Sequence, residues 1–258
     1  MKRDNFLQIF QLNVLADSLT DKFTFPKTDP DVLFWKQRCA CYKQIFKLHH
    51  SIIVCEEVDH SMLKEFCYIL GQNYQHRWMS KNASMPRDGT VIFWPGIHFE
   101  LLKFWSISLG TQNALFVRLQ CKHTGLIFVV CGVHLKGKAG YEEHRAKQIH
   151  RVLAELKNET NVLLVGDFND VPDSVCVKLV ENRGYKNVFP ENFPTTAKIH
   201  KSDPVIRCID YMWYKGTAIQ PTTCVTEPSQ LSKLEPPYLP NEVWPSDHAC
   251  LRAKFKIY

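Results

Sequence analysis

The sequence predicts an α/β fold in which two packed β-sheets are flanked by helices, a four-layer α/β sandwich. Three observations indicate it: predicted strands occur in pairs, helical stretches separate the pairs, and several strands border a polar side chain. All residues, 1–258, are expected to form one domain, because α/β folds of this size often fold as a single unit. A hydrophobic content of 45% allows a core large enough for two sheets.

The most informative stretch is Asn161 to Asp170, NVLLVGDFND. Its four aliphatic residues indicate a strand buried on both faces, and Gly166 is expected to let the chain leave the sheet sharply. Alternation then puts Asp167 and Asn169 on one side of the chain and Phe168 on the other. Two oxygen-bearing side chains at the rim of a rigid sheet predict a site for a hard cation or a reacting water. A polar turn after a core strand is the alternative.

The other segments divide into strands and helices by their periodicity and flanking residues. Strands are predicted at Phe6 to Leu15, Ser51 to Cys55, Thr90 to Trp94, Leu101 to Ser108, Ala114 to Gln120, Leu126 to His134, Ile209 to Tyr214 and Ala249 to Ile257. Helices are predicted at Val32 to Leu48, Ser61 to Leu70 with Ser61 as N-cap, Tyr141 to Leu156 and Ser174 to Val180. The Pro-rich segment Pro228 to Pro245 is expected to be loop.

Composition and charge restrict the possible functions. The net charge of +6 is too small for a polybasic binder, but it suits an anionic ligand if the basic residues cluster. The ten cysteines form no C-x-x-C pair, and Cys39 and Cys41 are too isolated for a zinc site, so free thiols in a reducing compartment are expected. No apolar run reaches the roughly 18 residues of a membrane span, and no signal-peptide pattern opens the chain. We expect a cytoplasmic protein, or a mitochondrial one if a targeting segment has been removed.

Carboxylate and amide side chains near strand ends are the candidates for metal binding. Glu57 follows a buried strand, and a carboxylate there is a good Mg²⁺ ligand because this ion prefers oxygen ligands. The adjacent Glu56 could serve equally, and a solvated loop acid is the structural alternative. Asn13, near the end of the first strand, offers a neutral oxygen or else forms a turn. Asp210 brings a carboxylate into an otherwise apolar strand, which costs energy unless it finds a partner such as a histidine.

Histidine and lysine side chains near other strand ends indicate phosphate binding. His134 ends a strand, Lys136 shares its face if the extended geometry continues, and Lys138 follows. This cationic strip suits phosphate, with a solvated helix start as the alternative. Asp247 beside His248 can fix the tautomer or raise the pKa of the imidazole, which could then contact a phosphoryl oxygen or transfer a proton. No G-x-S-x-G elbow, P-loop or G-x-G-x-x-G occurs, which disfavours a covalent serine mechanism and a Walker-type ATPase.

Seven short motifs follow one another along nearly the whole chain: LNVLAD, EEVDH, RDGTVIF, VHLKGK, GDFND, IDYMWY and PSDH. In this order they resemble the signature set of the endonuclease/exonuclease/phosphatase superfamily. In detail, HLKGKAGYEEHRAKQ and TTAKIH are most similar to its nocturnin and deadenylase branch. The resemblance implies phosphoester hydrolysis that depends on Mg²⁺, with Mn²⁺ as a substitute. Nocturnin-type enzymes remove the 2′-phosphate from NADP(H), and close relatives shorten poly(A) tails.

The resemblance also implies roles for individual residues. Asn13 and Glu57 would hold Mg²⁺, and Asp167 would position or deprotonate the attacking water. Asn169 would bind the phosphate. His134 and His248 would stabilise its charged oxygens. Asp210 and Asp247 would orient these two histidines. The side chains that would contact the rest of the substrate are Lys81, Arg87, Lys136, Lys138 and His200.

Three positions depart from the family pattern. Glu56 stands where the family usually has Gln, which adds a carboxylate beside the metal ligand. Lys138 and His200 stand where nocturnin-type proteins have Arg, and neither offers the permanent, bidentate charge of a guanidinium. Because a hydrogen bond to a charged group contributes roughly 1.5–3 kcal/mol, these two changes concern affinity for NADP(H) rather than hydrolysis.

Together with the candidate residues, the resemblance implies a Mg²⁺-dependent phosphohydrolase that acts on the 2′-phosphate of NADP(H). We expect it to act as a monomer and without a membrane partner. One alternative is a 3′-exoribonuclease that shortens poly(A) tails from the RNA 3′ end. It would need an extended basic groove with aromatic stacking platforms, which Trp35, Trp105 and Trp244 supply only if they are not packed in the core or at its edge. A second alternative is a non-catalytic nucleotide- or RNA-binding module, and the complete set of candidate catalytic residues argues against it.

Overall fold

Two six-stranded sheets pack face to face between two groups of helices in a computed structural model of the chain. This architecture confirms the predicted four-layer α/β sandwich. The structure describes residues 5–47, 52–82, 87–189, 193–200, 203–229, 231–236 and 238–258. That residues 1–258 form one domain stays a prediction.

The secondary structure of the described residues alternates between strands and helices along the chain. The strands are β1 (Phe6–Asn13), β2 (Ile52–Asp59), β3 (Tyr74–Ser80), β4 (Asp88–Pro95), β5 (Phe99–Ser108), β6 (Asn113–Cys121), β7 (Ile127–His134), β8 (Val162–Asp167), β9 (Lys186–Asn187), β10 (Thr196–His200), β11 (Asp203–Arg207), β12 (Asp210–Lys215), β13 (Ile219–Glu227) and β14 (Cys250–Ile257). The helices are α1 (Pro30–Leu33), α2 (Trp35–Lys47), α3 (His60–Leu70), α4 (Glu142–Glu155) and α5 (Val175–Glu181), with 3₁₀ turns at Asp17–Leu19 and Leu231–Lys233. None of the helices in the described ranges combines the length and apolar character needed to cross a membrane.

The order of the strands brings four strand ends to one edge of the sandwich. The first sheet has the order β13-β14-β1-β2-β4-β3, the second has β5-β6-β7-β8-β12-β9, and β10 and β11 form a separate hairpin. One central pair in each sheet is parallel, β1 with β2 and β7 with β8, whereas the neighbouring pairings are antiparallel. Because ligands bind in α/β sheets outside the carboxyl ends of parallel strands, these two pairs define where a site can form.

Three layers of apolar side chains hold the sheets and helices together. The central layer lies between the sheets and includes Val54 and Ile92 from the first and Val130 and Leu163 from the second. The outer face of the second sheet packs on α4 and α5, and the outer face of the first packs on α2 and α3. Each fully buried Val, Leu or Ile contributes about 1.5–3 kcal/mol, so the relative position of the sheets is strongly stabilised.

The helices differ from the prediction at their ends, for local reasons. The helix predicted at Val32 to Leu48 is divided at Phe34, whose extended backbone ends α1 before α2 begins; Leu48 itself lies outside the described residues. Ser61 is not the N-cap of α3. The Asp59 side chain caps this helix by accepting hydrogen bonds from the backbone N–H groups of Ser61 and Met62, both at 2.9 Å.

The strands differ from the prediction mainly in segments whose polar residues give no apolar run. The strand predicted at Ser51 to Cys55 continues to Asp59, and Ser51 lies outside the described residues. Five strands, β3, β9, β10, β11 and β13, were not predicted. Most side chains of β3, β9, β11 and β13 are partly or fully exposed, and none of these four has an apolar run. In β10 the buried apolar side chains alternate with polar ones over only five residues, TAKIH, so this strand has no apolar run either. Within the described part of Pro228 to Pro245, the expected loop contains only one 3₁₀ turn and a single β-bridge at Tyr238.

Candidate active site

The carboxyl end of β8 carries the central acid of the site. Gly166 has a φ of +141°, and a Cβ added there would lie 2.0 Å from the Val133 carbonyl oxygen, so this close pairing of β7 with β8 requires glycine. The strand therefore continues through Asp167 instead of leaving the sheet at Gly166. Phe168 is buried in the core beneath α4 and α5, as alternation predicts. The Asn169 side chain donates from Nδ2 to the Leu135 carbonyl oxygen at 3.1 Å.

Side chains of the two sheets meet at this edge. Asn13, at the end of β1, donates a hydrogen bond from Nδ2 to Oδ2 of Asp167, at 3.0 Å. His134, at the end of β7, has its Nε2 3.6 Å from Asp167 Oδ2 and 3.9 Å from Glu57 Oε1. Residues that are far apart in the sequence thus come within a few ångströms of one another, as the sequence analysis expected.

A β-bulge directs Glu57 towards these groups. The register of β2 against β4 shifts between Cys55 and Val58, and Glu57 has a φ of +60°, which is uncommon for a residue other than glycine. Its Oε2 accepts a hydrogen bond from the backbone N–H of Ala16 at 3.1 Å, so the loop after β1 fixes the carboxylate. Backbone strain of this kind concentrates at functional sites.

Asp210 and His248 form a second, directly bonded pair. His248 Nδ1 lies 2.8 Å from Asp210 Oδ2, and Thr195 Oγ1 donates to the same carboxylate oxygen at 2.7 Å. Asp210 therefore has the histidine partner that its apolar strand requires. Asp247 Oδ2 lies farther from the imidazole, 3.8 Å from His248 Nε2, and pairs with the Lys198 ammonium instead.

The electrostatic surroundings separate the two histidines. Burial, with a smaller contribution from the Lys81 ammonium, lowers the pKa of His134 well below its ordinary value, so this imidazole is neutral. Burial also disfavours a charged His248, but the carboxylates of Asp210 and Asp247 outweigh this effect and raise its pKa to about 10. The site thus contains one neutral and one positively charged imidazole at neutral pH.

The two acids on either side of His248 also differ. Burial, reinforced by the Asp210 carboxylate, raises the pKa of Asp167 above its ordinary value. Burial acts in the same direction on Asp247, but the Lys198 ammonium outweighs it and lowers the pKa of Asp247. Asp167 is therefore the stronger proton acceptor of these two carboxylates, and Asp247 stays ionised.

A buried network lies behind the site residues. Gln11 Nε2 donates to Glu56 Oε2 at 2.9 Å and to Asp210 Oδ1 at 3.1 Å. Glu56 is completely buried, and burial raises its pKa well above the ordinary value. Within the described ranges, Gln11 Oε1 and Glu56 Oε1 are buried oxygens without a hydrogen-bond partner. Of the two adjacent glutamates, Glu57 lines the cavity that Asp167 and His248 also line, and Glu56 does not.

The converging side chains enclose a cavity of about 290 Å³, here called the catalytic cavity. Its polar lining includes Glu57, Lys81, His134, Asp167, Asn169, Lys198, Arg207, Asp247 and His248. A second cavity of about 390 Å³ adjoins it and is lined by Lys138, Glu142, Arg145, Asp170 and Asp173, among others. Acids and cations therefore line a space large enough for a small anionic group.

The predicted substrate-binding residues are distributed unequally around these cavities. Lys81 lines the catalytic cavity and lies 3.6 Å from Asp88 Oδ2, and Lys138 lines the second cavity. The Lys136 ammonium instead lies over the Tyr141 ring, 5.0 Å from its centroid. Arg87 is exposed and lines neither cavity. The side chain of His200 lies outside the described part of the chain.

The donor set of the catalytic cavity fits a hard divalent cation. Ligand atoms of Asp167, Asp210 and His248 all lie within 4.8 Å of one another, and the Glu57 carboxylate lines the same cavity. Buried carboxylates this close repel each other unless protons or a cation neutralise them. Oxygen-rich sets of this kind suit Mg²⁺ or Mn²⁺. The side-chain oxygen Oδ1 of Asn13 accepts a hydrogen bond from the backbone N–H of Leu15 at 3.1 Å, and an amide oxygen has a second lone pair with which it can bind a cation.

The fold is that of the endonuclease/exonuclease/phosphatase class, whose members are divalent-metal-dependent phosphoester hydrolases, and the acid-rich cavity is compatible with that chemistry. The model of the Endonuclease/Exonuclease/phosphatase family matches residues 64–248, and the chain belongs to this family.

Within the family, the chain is similar to Nocturnin. It is 27% identical to Nocturnin of Rattus norvegicus over 283 aligned positions, which cover 97% of this chain and 66% of that protein. The chain therefore spans about two thirds of the length of this relative (66%). The human Nocturnin catalytic domain, solved with a bound sulfate anion, superposes with a TM-score of 0.77 at 23% identity, covering 98% of this chain and 94% of that one. ANGEL2, described as a 2′,3′-cyclic phosphatase, gives a TM-score of 0.83 at 17% identity, with coverages of 98% and 96%. These two structures support the fold.

Several residues that line or support the site were not predicted from the sequence. Lys198 and Arg207 lie on β10 and β11, which have no apolar run that would have indicated strands. Thr195, which bonds Asp210, precedes the same hairpin. Gln11 offered a signal, since it is a polar residue within a strand whose neighbours are apolar.

Proposed function

We propose that the chain is a Mg²⁺-dependent phosphohydrolase that removes the 2′-phosphate from NADP(H). The observation that carries the proposal is the catalytic cavity of about 290 Å³, whose lining combines the acids Glu57 and Asp167 with the cations Lys81 and Lys198. The adjoining cavity of about 390 Å³ offers room for more of a dinucleotide. Membership of the endonuclease/exonuclease/phosphatase family supports the same reaction class.

Glu57 and Asn13 would hold Mg²⁺, which when bound polarises the phosphate and neutralises charge that develops on it. Asp167 would accept the proton of the attacking water. Two features support this role: its raised pKa makes the carboxylate a better base, and its hydrogen bonds from Asn13 Nδ2 (3.0 Å) and the backbone N–H of Asn169 (2.7 Å) fix its orientation.

His248 would donate a hydrogen bond from Nε2 to a phosphoryl oxygen. Its Nδ1 is bonded to Asp210, so the other nitrogen is available to the cavity, and the raised pKa keeps a proton on it at neutral pH. Lys198 supplies a further positive charge on the same wall while it keeps Asp247 ionised. Fixed positive groups of this kind stabilise the charge of the transition state without reorganising.

The aromatic residues favour a dinucleotide over a long RNA strand. Binding of single-stranded RNA uses a series of exposed rings, one for each stacked base. Trp35, Trp105 and Trp244 pack against other side chains, and none of them lines either cavity. Phe23 is 92% exposed and adjoins the cavity-lining Thr24, so it could stack on one base. Tyr141, which is 42% exposed, adjoins Glu142 of the second cavity in the same way. Two separate rings suit the two bases of a dinucleotide better than the successive bases of a poly(A) tail.

Incubation with Mg²⁺ and either NADPH or a short oligo(A) separates the candidate functions. We expect phosphate release from NADPH and oligo(A) of unchanged length, with no phosphate release in EDTA. Shortened oligo(A) with intact NADPH would replace this proposal by the 3′-exoribonuclease, and tight NADPH binding without turnover would indicate the binding module. Monomeric state and cytoplasmic or mitochondrial location remain predictions, testable by light scattering and by fractionation of cells.

A further inference from the structure

Three residues line both cavities and form a ridge between them: Asn169, Arg207 and Ile209. A ligand that fills both cavities must therefore pass over this ridge. Asn169 offers an amide to such a ligand and Ile209 offers an apolar surface. Arg207 is therefore the charged residue of the ridge.

The backbone of Arg207 is tied directly to the reactive residues. Its carbonyl oxygen accepts a hydrogen bond from Thr195 N–H at 2.8 Å, and it is paired with Thr196 in the β10–β11 hairpin. Thr195 in turn donates from Oγ1 to Asp210, and Thr196 donates from Oγ1 to the Asp247 carbonyl oxygen at 2.8 Å. The start of the Arg207 side chain is therefore held at a fixed distance from the catalytic cavity.

The charge of Arg207 is available to a ligand. Its side chain is exposed, and among the described residues no carboxylate pairs with its guanidinium. Arg145, the other arginine of the second cavity, is already engaged: its Nε lies 2.9 Å from Asp170 Oδ2, and its NH2 group lies 3.3 Å from Glu142 Oε1. Lys138 also lines the second cavity and has no carboxylate partner in the described ranges. Arg207 and Lys138 are therefore two cations near the ridge that have no carboxylate partner among the described residues.

We propose that Arg207 binds a second phosphate of the substrate, one that crosses the ridge while the scissile phosphate occupies the catalytic cavity. The planar guanidinium presents paired N–H donors that match two phosphate oxygens, which suits a pyrophosphate-containing nucleotide. Asp173, in the second cavity, adds acceptors for the hydroxyl groups of a sugar beyond the pyrophosphate. This inference rests on the proposed function and names the group by which that site would select its substrate.

The test compares two substrates that differ in the second phosphate. NADPH carries a pyrophosphate in addition to the 2′-phosphate, whereas 2′-AMP carries only the phosphate to be removed. We expect Arg207→Gln to lower kcat/KM for NADPH by about 10- to 150-fold, mainly through KM. Because Arg207 also borders the catalytic cavity, kcat/KM for 2′-AMP should fall as well, but by a clearly smaller factor. Arg207→Lys, which keeps the charge but not the paired donors, should lose less. The matched control is Arg183→Gln, an exposed arginine beyond α5 that lines neither cavity.

An equal loss on both substrates, or no loss on NADPH, would overturn the role of Arg207 while the phosphatase proposal stands. If the wild-type chain releases phosphate from neither substrate, the proposed function fails. The role of Arg207 is then tested by the affinity of the protein for NADPH. NADPH is then titrated calorimetrically in Ca²⁺ against the wild-type chain and the two variants. A Kd at least 10-fold weaker for Arg207→Gln than for Arg183→Gln supports the inference, and equal or absent binding refutes it.

Discussion

Replacing Glu56 by Gln should make the metal-free protein more stable, by an amount that grows with pH. Glu56 is completely buried, its carboxyl accepts a hydrogen bond from Gln11 Nε2, and burial raises its pKa well above the ordinary value of 4.5. The folded state therefore keeps a proton on Glu56 that the unfolded chain releases above pH 4.5. Stability falls as pH rises through this window, because the native state binds more protons than the unfolded state.

The size of the effect follows from this difference in proton binding. Each pH unit between the unfolded and the folded pKa costs about 1.36 kcal/mol of unfolding free energy. This cost accumulates with every pH unit over which the folded state keeps the proton on Glu56, and complete burial means that solvent does not screen it. Glu56→Gln replaces the protonated acid by a neutral group of the same shape, so the variant should match the wild-type chain near pH 4.5 and exceed it increasingly up to pH 7.

Urea unfolding in EDTA at pH 5, 6 and 7 measures this difference, with the fluorescence of the buried Trp94 and Trp213 as the probe. Glu100→Gln is the matched control, since Glu100 is exposed on β5 and should give a difference independent of pH. A constant difference between Glu56→Gln and the wild-type chain across this range would show that Glu56 is ionised in the folded state, and the reasoning would be wrong.

Three further predictions concern activity. Glu57→Ala should lower kcat by at least about 100-fold because the cavity loses its metal-binding carboxylate; normal turnover, in a variant with an unchanged circular dichroism spectrum, would contradict this. Asp210→Asn should lower kcat and move the alkaline limb of the pH–rate profile to lower pH, because the carboxylate that raises the pKa of His248 is gone; an unmoved limb would refute the assignment. Lys138→Arg should lower KM for NADPH by up to about 10-fold through paired hydrogen bonds, and steady-state kinetics with unchanged KM would exclude contact of Lys138 with the ligand.

The sequence predicted the parts of the fold and site that depend on local pattern. The buried run before Asp167, and the polar residues Asn13 and His134 at the ends of largely apolar runs, indicate strands that end at one edge, because burial and alternation act within a few residues. Asp210 in an apolar strand indicated a buried partner, and the partner is His248.

Features that depend on distant contacts could not be predicted in this way. In the β1–β2 pairing Asn13 faces Glu56, so regular alternation gives no reason to prefer Glu57 for the cavity; the bulge that turns Glu57 towards it is set by pairing with β4. Lys198 and Arg207 lie on a polar hairpin whose position is fixed by hydrogen bonds to the segment just before β14. One of these bonds joins Thr196 to Asp247, which lies 51 residues later in the sequence. No periodicity within the hairpin reports such a contact.

The Asn13–Asp167 hydrogen bond, like the Asp210–His248 pair, joins one sheet to the other. Each sheet therefore holds only half of an active centre, and the halves fit together only while the layer between them keeps its thickness. A substitution that removes a methylene group from that apolar layer, far from any substrate, would therefore misalign the two halves of the site while the chain stays folded. Loss of turnover on gentle heating should accordingly precede loss of secondary structure.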